Sequence, residues 1–247
     1  MPVVLTAVGL TLLGSLGGLL LASTLLLFNN RARVTLVAWL VSYAVGTLLG
    51  VALLELVPQA LETLAANRVL GTLLAGILLF FVLEKLVIWR HCHTEECIAH
   101  STVAPLVLIG DAFHNFVDGA VIAAAVVSSL PLGISTAVAV AAHEIPQELG
   151  DFAILLAAGY SRGRALFLNV LSGMAAVGGA LLALLALGWI PDLLPYVLSM
   201  ASASFLYIAM ADLIPDLHRG GIDARAIRQI VLVLAGIGTV VIFEGLL

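Results

Sequence analysis

Two stretches of this sequence concentrate side chains that bind metals. One holds Asp111, His114, Asn115 and Asp118, at offsets of zero, three, four and seven, so a helix presents all four on one face. The other holds His143, Glu144, Gln147, Glu148 and Asp151. His143 and Gln147 are one helical turn apart, as are Glu144 and Glu148, and Asp151 comes one turn beyond Gln147. Pro146 falls among them and predicts a kink that frees a carbonyl near Ala142. From Ser101 to Ser161 there are five carboxylates and no lysine or arginine. Each ionised carboxylate near the middle of a bilayer costs at least ~2.5 kcal/mol on insertion scales. Such a set needs protons, a water-filled cavity or a bound cation. Two imidazoles and two amides on the same faces favour the cation, because imidazole with carboxylate and amide oxygen suits first-row divalent metals. A hydrogen-bonded polar seam between helices explains one or two such residues, but not nine.

The elements that must position these residues are membrane helices. The chain has 247 residues, 62% hydrophobic and 10% charged, with a mean hydropathy of +1.20. Soluble domains average about 45–50% apolar and about 25% charged residues, so a soluble globular protein and a disordered chain are both excluded. At about 20 apolar residues per crossing the length allows about eight crossings and no sizeable soluble domain. The apolar runs are Val3–Phe28, Val34–Val57, Val69–Trp89, Thr102–Leu130, Leu132–Gly159, Ala165–Ile190, Leu193–Leu217 and Ile227–Leu247, divided by turn and charge clusters. The first lacks a basic leader and is too long for a signal-peptide core, so it reads as a span. The net charge of −5 with no basic run excludes a nucleic-acid partner.

Nine of the ten Lys and Arg residues fall in odd-numbered links, Arg68 being the exception. The positive-inside rule then predicts an integral, multi-pass protein of the cell (inner) membrane with both termini outside the cytoplasm. An internal repeat is also legible. Leu54-Glu55-Leu56-Val57-Pro58-Gln59 ends span two and Ala211-Asp212-Leu213-Ile214-Pro215-Asp216 ends span seven. Val82-Leu83-Glu84-Lys85-Leu86 and Ile242-Phe243-Glu244-Gly245-Leu246 end spans three and eight. Partners five spans apart run in opposite directions, which is the pattern of an inverted repeat with binding near mid-membrane. One domain over 1–247 is expected, with a first repeat in 1–90, a metal-binding helix pair in 101–160 and a second repeat in 165–247.

Glu55, Asp212 and Glu244 lie near span ends, where acids reach water or serve metal passage, whereas Glu84 with Lys85 beside it reads as structural. Asn169 and Ser172 share a face of span six, suited to further metal contacts or to interhelical bonding. Gly46 and Gly50 form a GxxxG that suits close packing. The loop His91-Cys92-His93-Thr94-Glu95-Glu96-Cys97-Ile98-Ala99-His100 is rich in ligands. Its spacing matches no standard zinc finger, and a cytoplasmic location disfavours a disulfide. His91 and His93 are candidates for a labile site that receives metal at the exit.

The sequence resembles the ZIP (Zrt/Irt-like) metal transporters. Gly110-Asp111-Ala112-Phe113-His114-Asn115-Phe116-Val117-Asp118-Gly119 is similar to the family's HNFxDG signature. His143-Glu144-Ile145-Pro146-Gln147-Glu148-Leu149-Gly150-Asp151-Phe152 is similar to HExPHExGDF, the mark of one subfamily. The resemblance extends to Val45–Pro58, Phe80–Lys85 and Phe205–Asp212. It implies eight all-α transmembrane helices in a 3+2+3 arrangement, with helices 1–3 and 6–8 as the inverted repeat. It implies import of zinc, or of iron, manganese or cadmium, into the cytoplasm, with an elevator-like movement. It also implies a two-metal centre, with His114, Asp118, His143 and Gln147 at the primary metal and Asn115, Asp118, Glu144 and Gln147 at the second. Gln147 stands where the signature has a second His, a weaker donor that puts metal preference in question. Glu148 compensates only if the Pro146 kink turns it inward. Glu55 and Gln59 stand where relatives tend to have His. The chain lacks the His-rich loop and large extracellular domain of many relatives, as in a minimal, prokaryotic-type member.

The expected function is therefore divalent-metal transport, zinc foremost, with the metal as cargo, no organic cofactor and no enzymatic activity. Beyond metal ions and the lipid bilayer no partner is implied, and a homodimer is left open. Two other classes compete. A proton- or sodium-coupled carrier uses the same carboxylates without metal. An intramembrane metalloprotease needs HExxH, but here Gln147 replaces the last His and Pro146 interrupts the helix.

Overall fold

The computed structural model describes residues 2–25, 27–91, 100–217 and 224–246. Its elements in chain order are α1 (Pro2–Leu25), α2 (Asn30–Gly50), a π-helical turn (Val51–Leu56), α3 (Val57–Leu61), α4 (Ala66–His91), α5 (His100–Ser128), α6 (Leu130–Ala157), α7 (Arg162–Gly173), α8 (Ala175–Trp189), a 3₁₀ turn (Pro191–Leu193), α9 (Leu194–Tyr207), a second π-helical turn (Ile208–Leu213), α10 (Ile214–Leu217) and α11 (Ala224–Leu246). Among the described residues there is no strand. Seven segments are long and apolar enough to cross a membrane: Pro2–Leu25, Thr35–Leu61, Ala66–Leu83, Leu108–Ser128, Arg162–Trp189, Pro191–Ala211 and Ala226–Phe243. The protein is thus an all-helical, multi-pass integral membrane protein. The expected fifth span is α6, 28 residues long, or about 42 Å at 1.5 Å per residue. Its three acids set it apart from the apolar seven, and its neighbours α1, α2 and α5 cover it instead.

Local chemistry explains where helices start and stop. Asn29, Ser129 and Ser161 each cap a following helix, their side-chain oxygens accepting the N–H groups of Ala32, Leu132 and Arg164. Gly159, at φ +87°, ends α6. There Tyr160 N–H bonds back to the Leu155 carbonyl, the left-handed glycine stop that satisfies last-turn carbonyls.

Two of the expected spans differ most from the sequence reading. Span two does not end at Val57. The helix runs on to Leu61, because Pro58 is accommodated by the π-helical turn before it, where Val57 N–H reaches the Ala52 carbonyl, five residues back. Widening the turn moves the backbone that would otherwise clash with the proline ring. The same device precedes Pro215, where Ile214 N–H reaches the Ala209 carbonyl. Pro146, by contrast, lies inside a helix that continues from Leu130 to Ala157 with no π-helical turn before it. Span six starts earlier, at Arg162, and is interrupted at Met174 between α7 and α8.

Small residues let helices meet backbone to backbone. Gly46 of α2 lies against the backbone of Val233 in α11, and Gly236 lies against Tyr43 in return. Gly119 of α5 meets Ala176 of α8, and Gly179 of α8 meets Phe116. The GxxxG of α2 is therefore a packing seam. The neighbours form matched sets: α5 packs on α8 as α6 packs on α1, and α2 packs on α11 as α4 packs on α9.

Candidate metal centre

The midpoints of α5 and α6 meet. His114 is the fifteenth of the 29 residues of α5 and His143 the fourteenth of the 28 of α6. Each lies about 20 Å along its helix from either end. His114 Nε2 is 3.1 Å from His143 Nε2. Asp118 Oδ2 is 3.1 Å from His143 Nε2 and 3.5 Å from His114 Nε2. Glu144 Oε1 is 3.6 Å from His114 Nε2 and 3.8 Å from His143 Nε2.

These separations suit a cation at the centre. Ligands about 2.05 Å from a tetrahedral zinc are about 3.3 Å from one another, and the five distances bracket that value. His143 Nδ1 is 3.0 Å from the Ala139 carbonyl. Donating there leaves Nε2 as a lone pair aimed at the cluster, the second-shell arrangement common to metal-binding histidines. Asp118 Oδ1 and both Glu144 oxygens are buried without a hydrogen-bond partner. Buried carboxylates in that condition call for a cation or a proton. His114 is 22% exposed and the other three are essentially sealed, so His114 stands at the mouth.

One turn along, a second group brings together Asp111, Glu144 and Glu148. One carboxylate oxygen from each lies within 4.8 Å of the others, the same limit that encloses the first four donors. Asn115 Nδ2 donates to Asp111 Oδ1 at 3.1 Å, as does Gln147 Nε2 at 3.1 Å. Asp151 is buried within reach of Asp111. Asn169 is fully buried with neither side-chain atom hydrogen-bonded, while Ser172 donates to the Leu108 carbonyl.

The other candidates lie elsewhere. Glu55, in the first π-helical turn, lines a cavity of about 100 Å³ with Gln59, Glu62 and Ser129, at the far end of the α5–α6 hairpin. The backbone of Asp212 belongs to the second π-helical turn, but its side chain and that of His91 lie outside those described. His93, with the rest of 92–99, lies outside the described residues.

Sequence reasoning passed over Ser15. Its hydroxyl donates to Asn115 Oδ1 at 2.8 Å, tying α1 to the site. Gly18 of α1 faces the Glu144 side chain. The available signal was the small-residue face Thr11, Gly14, Ser15 and Gly18, spaced for one side of a helix in an otherwise apolar span.

The family model described as ZIP Zinc transporter matches residues 89–244, more than half of the chain. This chain belongs to the ZIP zinc transporter family. Among relatives, it is 34% identical over 221 residues to zinc transporter ZIP13 of Pongo abelii, covering 83% of this chain and 66% of that protein. It is 36% identical over 149 residues to zinc transporter foi of Drosophila melanogaster, with 59% and 21% covered. It is 44% identical over 110 residues to human zinc transporter ZIP4, with 44% and 17% covered. The chain thus spans under two thirds of each relative's length. Both α5 and α6 lie inside the region that the ZIP model matches.

Proposed function

We propose that this ZIP-family chain carries divalent transition metal across the membrane, with zinc as cargo, through the cluster between α5 and α6 and into the cytoplasm. The observation that carries the reading is the convergence of two imidazole Nε2 atoms with Asp118 and Glu144 at mid-helix, with no lysine or arginine from 101 to 161. Mixed imidazole and carboxylate donors hold a dehydrated ion yet release it more readily than an all-thiolate cage. Iron, manganese and cadmium suit the same donors.

Both termini lie outside in this reading, so the α5–α6 turn at Ser129 faces outward and the ends near Arg162 and Arg164 face the cytoplasm. Helices 1–3 and 6–8 form an inverted repeat around the central pair. Support comes from the two π-helical turns placed alike before Pro58 and Pro215, and from the matched packing of α5 on α8 and α6 on α1. Two metals share the centre. Against the peptidase reading, Gln147 is engaged with Asp111 and Glu144 belongs to the cluster.

The test is uptake into proteoliposomes of purified protein, with zinc, cadmium, manganese and iron in parallel. Saturable uptake is expected, lost in His114→Ala while the variant still inserts. Wild-type uptake in that variant would remove the cluster from the path.

A further inference from the structure

We propose that Asp111, Glu144 and Glu148 form a second cation site made only of oxygen, and that Asn115 and Gln147 position Asp111 for it instead of ligating metal themselves. The inference rests on the transport reading and changes which residues hold the second ion. Signature positions alone would give that ion to Asn115, Asp118, Glu144 and Gln147.

The amides are committed elsewhere. Asn115 receives the Ser15 hydroxyl on its oxygen and gives its nitrogen to Asp111. The Gln147 nitrogen is likewise on Asp111 Oδ1. Two donors on one oxygen fix the rotation of that carboxylate and leave Oδ2 buried with no partner. Glu148 is 1% exposed and Glu144 fully buried, and neither Glu148 oxygen has a hydrogen-bond partner. Three sealed carboxylates whose oxygens lie within 4.8 Å of one another repel when ionised, unless a proton or a metal cation joins them.

The donor chemistry separates the two sites. The first offers two nitrogens and suits zinc, whereas the second offers oxygen alone and suits harder divalent ions such as manganese. Glu144 belongs to both groups. Asp111 lies one turn before His114 on α5, and Glu148 one turn beyond Glu144 on α6. The oxygen site is therefore displaced along the antiparallel pair toward the α7 end and Asp151. Glu144 can hold an ion in either site, so a metal moves between them without entering an apolar gap.

Manganese is the probe, on purified chain in detergent, so the outcome does not depend on transport. The His114→Ala/His143→Ala variant should still bind one manganese per chain, with no nitrogen-14 modulation in pulsed electron paramagnetic resonance. Adding Glu148→Gln should weaken that binding at least tenfold. Gln147→Ala should weaken it about 10–100-fold, the usual effect of an outer-shell partner, while leaving the bound-manganese spectrum unchanged. If removing the histidines abolishes manganese binding, or Glu148→Gln leaves it intact, the oxygen site is refuted. A changed spectrum in Gln147→Ala would make Gln147 a ligand and overturn its positioning role. Equilibrium dialysis on single variants guards against misfolding of the double one. Wild type should hold two zinc ions and Glu148→Gln one, and two in Glu148→Gln would refute the assignment. Failure of uptake with both ions still bound would count against the transport reading alone.

Discussion

Gly18 lies outside every metal-binding motif, yet its lack of a side chain governs where Glu144 sits. A β-carbon built at Gly18 would be 2.9 Å from the Glu144 β-carbon and 3.5 Å from the Ala141 carbonyl oxygen. Carbon atoms pack best about 3.5–4.0 Å apart. Gly18→Ala therefore requires about 0.6–1.1 Å of separation between α1 and α6 at the one carboxylate both metal groups share. Alanine in place of glycine ordinarily favours a helix by about 1 kcal/mol, but overpacking costs about 1–3 kcal/mol, so the clash outweighs the propensity gain. A misplacement near 1 Å can reduce function about 100-fold. Gly17 is the control, because a β-carbon there meets nothing within 4 Å. Zinc uptake in proteoliposomes should fall about 10–100-fold in Gly18→Ala and stay at the wild-type level in Gly17→Ala, with both proteins monodisperse. Equal uptake by the two variants would refute the argument that α1 sets the position of Glu144.

Acid should weaken uptake, because protons compete with metal for His114, His143 and the carboxylates; a flat initial rate from pH 7.5 to 5.5 would contradict ligation by these groups. Gln147→His should shift preference toward zinc over manganese, since it places an imidazole beside Asp111; an unchanged metal ranking would put the side chain at position 147 out of reach of both metal groups. In a background where Cys92 and Cys97 are serine, Ser129→Cys should react with a membrane-impermeant thiol reagent on intact cells, while Ser161→Cys should react only after permeabilisation. The reverse pattern would invert the proposed orientation. Ser15→Ala should loosen the Asn115–Asp111 pair and weaken metal binding about 10-fold, as titration of the purified protein would show.

The sequence by itself determined the helices, the membrane setting and the two polar faces of α5 and α6. Composition left no alternative to spanning helices. The three- and four-residue spacing of Asp111, His114, Asn115 and Asp118 put them on one side of α5 whatever the rest of the chain did, because helical periodicity is local. The motif matches pointed to the family that the comparisons then showed. Tertiary structure decided which donors converge. Spacing cannot tell whether Gln147 turns toward the histidines or toward Asp111, since that depends on the rotation of α6 against α5. Nor does any local rule bring Glu148 to Asp111, 37 residues away in sequence. The contribution of α1 was the least legible: Ser15 and Gly18 look like ordinary packing residues of an apolar span, and only the contact of α1 with α6 gives them their task. The two π-helical turns follow the same logic, because proline announces that a helix must adjust but not how. A neighbour, not the sequence around it, settles whether the backbone kinks, widens or ends.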